Sequence, residues 1–529
     1  MATTVARPRP SVPKVDVSTP RWFERLPIWA SMGGFLLILM LASAFMRTRY
    51  LSGQFWMDEA ITTGIASHPL SAIPGILRHD GNPPLYYMLL HVWIQIFGAS
   101  ESATHALSLL FGLLTIPAGL WAGWSLFGRR AGMMAAVLLA FSAFLTQYAQ
   151  ETRMYELMGL LGVFAAAGFL HGFVYGRRKY LIMFSLSLAL MLYTQSWGVF
   201  FWLGSVVGLI PVYLRSDDRR TLLRYAAFAF IGAGILYLPW LPNFLYQARH
   251  TAAPWDSSPQ FGAPVQLSRN LLGGDRVSIA LLLASTIGVA ELFTRAHRRT
   301  RDATVMWTLI AIPAATLALA WIASQITPAW VPRYFAPVLG AIVLLAAFGC
   351  SRAGVVGIVA IVFSVIFLIN PSSYTPAYKS DVRDISGEMT QRLHPGDLVV
   401  SGQPEQVPLT WYYLPPKLRY ASTVGPVTDP SYFNWIDALK RLEHANPQAT
   451  LAPLLASLKP GQQILYVRPL TEGVSNWKAP WTQLVRRRAA QWGALLAADR
   501  SLREIAVAPH NYRGACCVAN SAVLYQKVS

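Results

Sequence analysis

Between residues 27 and 370 the chain is a succession of apolar runs, most of them about the length that crosses a bilayer, separated by short polar stretches. The runs fall at roughly 27–46, 104–127, 131–149, 154–175, 180–194, 196–214, 222–243, 277–294, 303–324, 334–350 and 354–370. Lipid offers no partner to an unpaired backbone amide, so such a chain can only bury its runs as packed helices. Composition agrees. The 529 residues are 54% hydrophobic and only 13% charged, against about 25% charged in soluble domains.

A net charge of +19 in a soluble protein would suggest nucleic acid. Here Lys and Arg sit largely in short runs between apolar stretches, which marks them as topology signals and contacts to anionic lipid. No nucleic-acid partner is expected. Leu85–Gly98 is apolar but too short to span, and it reads as an interfacial helix. If it stays on one face, Arg129-Arg130, Arg177-Arg178-Lys179, Arg215 with Arg219-Arg220, Arg295 with Arg298, Arg299 and Arg301, and Arg352 all fall on the side of the basic N-terminus. The positive-inside rule then gives about 11 transmembrane helices, N-terminus in the cytoplasm and C-terminus outside.

The expected fold class is therefore mainly α. It is a polytopic membrane protein with a large first outer loop of interfacial helices and a C-terminal soluble α/β domain. Residues 1–26 read as a disordered cytoplasmic tail, 27–370 as the transmembrane domain and 371–529 as an extracytoplasmic mixed α/β domain. Ala42-Ser43-Ala44 resembles a cleavage site, but the apolar run before it suits a span better than a signal peptide. In the last segment Leu398–Val400, Gln463–Val467 and 519–528 are strand-like, and 380–393, 433–444 and 484–499 are helix candidates. Cys350, Cys516 and Cys517 have no metal-ligand spacing and imply no disulfide framework.

On this topology the outer face carries the chemically rich segments. The first loop holds the acidic pair Asp58-Glu59, in Phe-Trp-Met-Asp-Glu-Ala, and then His79-Asp80-Gly-Asn82-Pro83-Pro84-Leu-Tyr86-Tyr87. Carboxylates among aromatic residues at a bilayer edge are costly to desolvate. An acid can take the proton of an attacking hydroxyl; equally, an acid at a helix N-terminus complements the dipole. His79 and Asp80 would be held at the surface by the proline turn. The second rich segment is Tyr148-Ala-Gln-Glu151-Thr-Arg153-Met-Tyr155, and the last is Pro332-Arg333-Tyr334. Arg153 and Arg333 could neutralise a phosphate or merely snorkel. His250, Trp255, Asp256, Arg269 and Arg276 occupy a further outer loop whose aromatics and acid suit sugar contacts. No Walker A, nucleophile-elbow, His-Glu-x-x-His or dinucleotide motif is present. An outer-face transferase then needs a donor other than a cytosolic nucleotide sugar.

Taken together and in this order, these motifs, with Leu-Phe-Gly-Arg-Arg-Ala-Gly at 126–132, resemble bacterial glycosyltransferases related to the protein O-mannosyltransferases and the lipid A aminoarabinose transferase, of the GT-C superfamily. The resemblance implies a polyprenyl-phosphate-sugar donor and inverting transfer of a pentose or hexose, mannose-like as a first guess. The acceptor is a hydroxyl of a glycan, lipid or protein. It places the enzyme in the bacterial plasma (inner) membrane with its site on the extracytoplasmic face. It gives Asp58 the role of general base, with Glu59 beside it and Glu151 as the second-loop acid. Arg153, Arg333 and Tyr334 become donor-phosphate contacts, and His79, Asp80, Tyr86, Tyr155 and Gln195 substrate contacts. Gln195 stands where relatives carry a His in Tyr-Thr-His, so a proton-transfer role is not carried over to it. A divalent cation, Mg or Mn, is used by some members and not by others. Asp58, Glu151 and Arg333 are expected to line one outward-facing cavity. The alternative is a transporter or flippase of lipid-linked glycans, whose functional polar groups would lie near the membrane midplane.

Overall fold

The structure is a computed structural model that describes residues 28–251, 253–294, 300–369, 379–471, 478–508 and 519–528. The N-terminal tail, Arg295, Arg298, Arg299, Cys516 and Cys517 lie outside the described residues.

Among the described residues, each of the apolar runs forms helix. Five helices are long and apolar enough to cross a membrane: Glu101–Phe127, Tyr155–Val174, Gly198–Arg215, Asp275–Phe293 and Arg301–Ile326. Shorter apolar helices are Ser31–Arg47, Leu85–Phe97, Lys179–Thr194, Val338–Arg352 and Gly354–Ile369. Two runs are broken. The run at 131–149 becomes Arg129–Ala140 and Ala143–Tyr148, because Ser142 caps a new helix by accepting from the Leu145 N–H at 3.3 Å. The run at 222–243 becomes Arg219–Tyr237 and Leu241–His250, turned by 75°. Pro239 and Pro242 supply no amide donors at that corner.

Helix Leu85–Phe97 has 13 residues, roughly 20 Å at 1.5 Å per residue. The segments at its two ends are tied to the same part of the chain. His79 O accepts from Trp435 N at 2.9 Å, and Ala99 O accepts from Tyr412 Oη at 2.9 Å. At the far end of the bundle the basic loops converge. Arg177 and Arg301 both lie over the Tyr175 ring, Arg352 pairs with Asp302 at 2.7 Å, and Arg130 donates to the Gly354 carbonyl.

The C-terminal segment forms a six-stranded mixed sheet of order β3-β2-β1-β4-β6-β5. Its strands are β1 Leu398–Ser401, β2 Arg419–Ser422, β3 Gly425–Val427, β4 Gln463–Pro469, β5 Leu502–Ala508 and β6 Asn520–Lys527. β1 is parallel to β2 and β4, with Leu398 opposite both Arg419 and Ile464. The remaining pairs are antiparallel. Every residue of β1 is buried, which suits an unbroken apolar strand covered on both faces. One face packs Val399 and Leu465 with Met389 and Leu414, and the other packs Val400 and Tyr466 with Trp492 and Leu451.

The sheet domain is docked on the first-loop helices. At Gly64 of helix Met57–Ala66 an added Cβ would lie 1.9 Å from the Ser431 carbonyl oxygen, so only glycine permits this approach. Phe433, Ala438, Leu442 and Trp481 of the C-terminal segment are part of the same buried cluster as the membrane helices.

Candidate active site

Trp56 is extended and Met57 begins a helix, so Asp58 and Glu59 occupy a first turn. Consecutive helical residues point in different directions, and the pair separates into two environments.

Glu59 faces inward and is fully buried. Its carboxylate accepts from the Trp56 N–H at 3.2 Å, as a capping box requires, and from the Thr152 N–H at 2.8 Å. His105 Nε2 lies 2.6 Å away, and Lys379 Nζ is 2.9 Å from both oxygens. Lys379 also donates to the Gln150 carbonyl at 2.6 Å. Burial alone would push the Glu59 carboxyl up, but Lys379 and His105 hold it down at about 2. Glu59 therefore ties the first loop, the Gln150–Arg153 turn and the sheet domain together, and does not line the cavity.

Asp58 faces a cavity of about 620 Å³ and keeps 24% of its side chain exposed. Its Oδ2 lies 3.4 Å from Arg333 Nη2 and 3.8 Å from Arg153 Nη2. Both guanidinium groups are held on the Tyr155 hydroxyl, which accepts from Arg333 Nε at 2.9 Å and Arg153 Nε at 3.3 Å. Arg153 also donates to Thr62 Oγ1 at 2.7 Å, and Arg333 lies over the Trp56 ring at 5.1 Å. Two forks sharing one carboxylate leave donors free for a second anion. Arg333 comes from a short turn, Pro332–Phe335, ahead of helix Val338–Arg352, and Arg153 from the turn ahead of Tyr155–Phe169.

The other expected residues divide. Asp80, Gln195 and Tyr334 line the cavity. Asp80 is buried and accepts from Asn82 Nδ2 at 2.7 Å, yet burial lifts its carboxyl to about 6. Tyr155 and Tyr86 stand behind the wall. Tyr86 Oη shares a 2.8 Å hydrogen bond with Ser108, which donates to the Arg153 carbonyl at 3.0 Å. His79 is exposed and contributes its carbonyl to domain docking rather than a ring to the cavity. Of the residues expected from the loop at about 244–276, Trp255 lines the cavity, together with Phe244, Gln247, Ala248, Thr251 and Ala253 of the same stretch. His250 pairs with Asp437 at 3.3 Å and Arg269 with Asp275 at 3.4 Å, while Arg276 covers the Phe367 ring.

The expectation that Asp58, Arg333 and Glu151 share one cavity holds for the first two and fails for Glu151. The Gln150–Arg153 turn is drawn inward by Lys379 and Glu59, and it leaves Glu151 only 7% exposed and outside the cavity lining. Burial raises its carboxyl to about 7, with Lys379, Glu59, Arg333 and Asp58 all in electrostatic range. A divalent cation does not fit this donor set. Glu59 is engaged by Lys379 and His105, Asp58 by two arginines, and no three His, Cys, Asp or Glu side chains converge among the described residues.

Sequence reasoning missed Lys379, His105 and the sheet-domain residues Gln403, Glu405, Trp435 and Thr482, of which the last four line the cavity. Lys379 and His105 carry no local signal. Gln403 and Glu405 follow a recognisable strand, and loops after strands are places where function collects.

No protein-family profile and no curated protein sequence matches this chain. Solved structures do. ArnT from Cupriavidus metallidurans bound to undecaprenyl phosphate is similar at TM-score 0.58 and 15% identity, covering 94% of this chain and 98% of that one. Its apo form matches equally. The archaeal oligosaccharyltransferase AglB from Archaeoglobus fulgidus, in complex with an inhibitory peptide and a dolichol-phosphate, is similar at TM-score 0.51 and 12% identity, covering 84% of this chain and 70% of that one. The chain thus shares the fold of these structures, and ArnT is a transferase of the kind that the motifs resemble.

Proposed function

We propose that this chain, which has the fold of GT-C membrane glycosyltransferases, transfers a sugar from a polyprenyl-phosphate donor to a hydroxyl of an extracytoplasmic glycan, lipid or protein. The observation that carries the proposal is the Asp58–Arg333–Arg153 constellation at the cavity wall, with one carboxylate held by two guanidinium groups that retain free donors. The fold likeness to a structure bound to undecaprenyl phosphate adds to it.

In this reading the donor phosphate takes Arg153 and Arg333, and Asp58 is released from them. The acceptor hydroxyl gives its proton to Asp58 as its oxygen bonds to the anomeric carbon from the face opposite the phosphate. The bond from the anomeric carbon to the phosphate oxygen breaks with its electron pair on the phosphate, so configuration inverts. Phosphate is a good leaving group and needs no second acid. Indoles and phenols around the cavity, including Trp56, Trp197 and Tyr334, exclude water and strengthen these charge interactions. Glu59 positions Asp58 from beneath, and Glu151 stands in the layer behind with the same office.

The orientation follows the same logic. The basic loops gathered around Tyr175 face the cytoplasm, and the cavity and sheet domain face outward across about eleven spans, with Leu85–Phe97 lying in the interface. Residues 27–370 form the catalytic domain of a bacterial plasma-membrane enzyme, and 371–529 its outer domain. The test is to supply the purified protein with undecaprenyl-phosphate sugars, mannose first, together with cell-envelope acceptors. Release of undecaprenyl phosphate with an inverted glycosidic product is expected. Unaltered donors across pentose and hexose probes, or a retained anomeric configuration, would contradict the proposal.

A further inference from the structure

The cavity has a second wall, and it comes from one place in the sheet topology. The chain leaves β1 to form β2 on one side and later returns to form β4 on the other, both parallel to β1. Loops leaving the carboxyl ends of such strands diverge and open a crevice, the usual ligand position in parallel sheets. Gln403 and Glu405 follow β1 and Thr482 follows β4, and all three line the cavity that Asp58 enters from the helical side.

Glu405 is 4% exposed. Its Oε1 accepts from Trp481 Nε1 at 2.8 Å and Gln403 Nε2 at 2.7 Å. Gln403 is itself fixed, accepting from Ser401 Oγ at 2.6 Å and Gln406 Nε2 at 2.9 Å. Oε2, in contrast, is buried and accepts no hydrogen bond from another residue among the described residues, the amide of Glu405 itself being the remaining donor beside the carboxylate. A buried carboxylate oxygen with no donor from a neighbouring residue is costly to keep, and Glu405 is among the residues that line the cavity. Trp255 and Trp435 line the same cavity with ring centroids 4.4 Å apart. A fixed acceptor beside indole faces suits a ring that donates hydroxyl hydrogens at its edge and packs its C–H face on an aromatic.

We propose that Glu405 is the sugar-reading residue of this cavity, its Oε2 accepting a hydrogen bond from a hydroxyl of a sugar ring packed on Trp435 and Trp255. The inference rests on the transferase reading. The ring belongs either to the donor or to a sugar acceptor, and the hydrogen-bond chemistry is the same for both.

Glu405→Gln keeps an oxygen for Trp481 and Gln403 and turns Oε2 into a donor. The full-length protein and this variant are titrated with undecaprenyl phosphate, with undecaprenyl-phosphate mannose, glucose and arabinose, and with methyl glycosides of the same sugars in the presence of undecaprenyl phosphate. The variant is expected to bind the bare lipid within about twofold of the wild type. It should lose at least about tenfold in affinity for one sugar-bearing probe. Loss on the sugar-loaded lipid assigns the ring to the donor, and loss on the methyl glycoside assigns it to the acceptor. Unchanged sugar binding, equal weakening of bare and loaded lipid, or a wild type indifferent to every sugar would overturn the inference. A wild type that does not bind undecaprenyl phosphate at all counts instead against the transferase reading. Glu405→Asp, which retracts the carboxylate by one methylene, should show the same selective loss and serves if the first variant does not fold.

Discussion

The two walls of the cavity hold their functional groups by different means. On the helical wall Asp58, Arg153 and Arg333 restrain one another by charge, and the partly exposed Asp58 and Arg333 can exchange partners with a ligand. On the sheet wall Glu405 is clamped by two neutral donors, Trp481 Nε1 and Gln403 Nε2, and nothing there is exchanged. A wall of exchangeable charges suits a phosphate that must bind, react and leave. A wall of fixed dipoles suits a neutral ring whose orientation must be read. Between them lies the Glu59–Lys379–His105 cluster, fully buried and joining the two parts of the chain that carry the walls.

The largest expected effect is on the helical wall. Asp58→Asn removes the proposed base and is expected to lower turnover by about 10²–10⁴-fold, the usual range for general-base loss. Steady-state kinetics at saturating donor checks this, and wild-type turnover in the variant would remove Asp58 from the chemistry.

The junction comes next. Lys379→Met leaves Glu59 buried without its cation, at a cost of about 3–5 kcal/mol, read as a lower unfolding midpoint in detergent. Adding Glu59→Gln should recover most of that loss, whereas additive losses would show that the pair does not hold the walls together.

Arg333→Lys keeps the charge but loses the fork between Tyr155 and Asp58. Affinity for undecaprenyl phosphate is expected to fall by about 10-fold, the worth of one charge-assisted hydrogen bond. Equal affinity would place the phosphate elsewhere.

The smallest effect is a pH dependence. Glu151 in the fold titrates at about 7, above its ordinary value. Between about pH 4.5 and 7 the folded state then holds the proton that the unfolded state has lost, so this group's stabilisation is present below that window and fades as pH rises through it. Wild-type stability should therefore be lower at pH 8 than at pH 6 by on the order of 1 kcal/mol, with Asp80, raised to about 6, acting in the same sense. Glu151→Gln should flatten the profile, and a profile equally steep in the variant would assign the slope to other groups.

How legible each wall was in the sequence follows from its physics. Apolar runs of spanning length announce the helices, and acids and arginines at their ends are conspicuous because lipid makes such groups expensive. Asp58, Arg153 and Arg333 stand out in that way, and the structure brings them together at the cavity. The separation of Asp58 from Glu59 was not legible, because it depends on where Lys379 and His105 arrive, at |i−j| of 320 and 46 from Glu59. Glu151 was misplaced for the same reason, since long-range bonds draw its turn inward. The sheet wall was the least visible. The strands β1, β4 and β6 could be recognised from apolar runs and turns, but β2, β3 and β5 are short or polar. The crevice beside β1 exists only once strand order is known, so the position of Gln403 and Glu405 after a recognisable strand was the one local signal they carried.

The central claim is that Asp58 occupies the arginines until the donor phosphate takes them. Binding of sugar-free undecaprenyl phosphate to Asp58→Asn, followed through the fluorescence of Trp56 beside Arg333, tests it most directly. With its competitor neutralised, the lipid phosphate should bind the variant at least as tightly as the wild type. Binding weakened tenfold or more in Asp58→Asn would mean that Asp58 helps to build the phosphate site rather than yielding it, and would contradict the account.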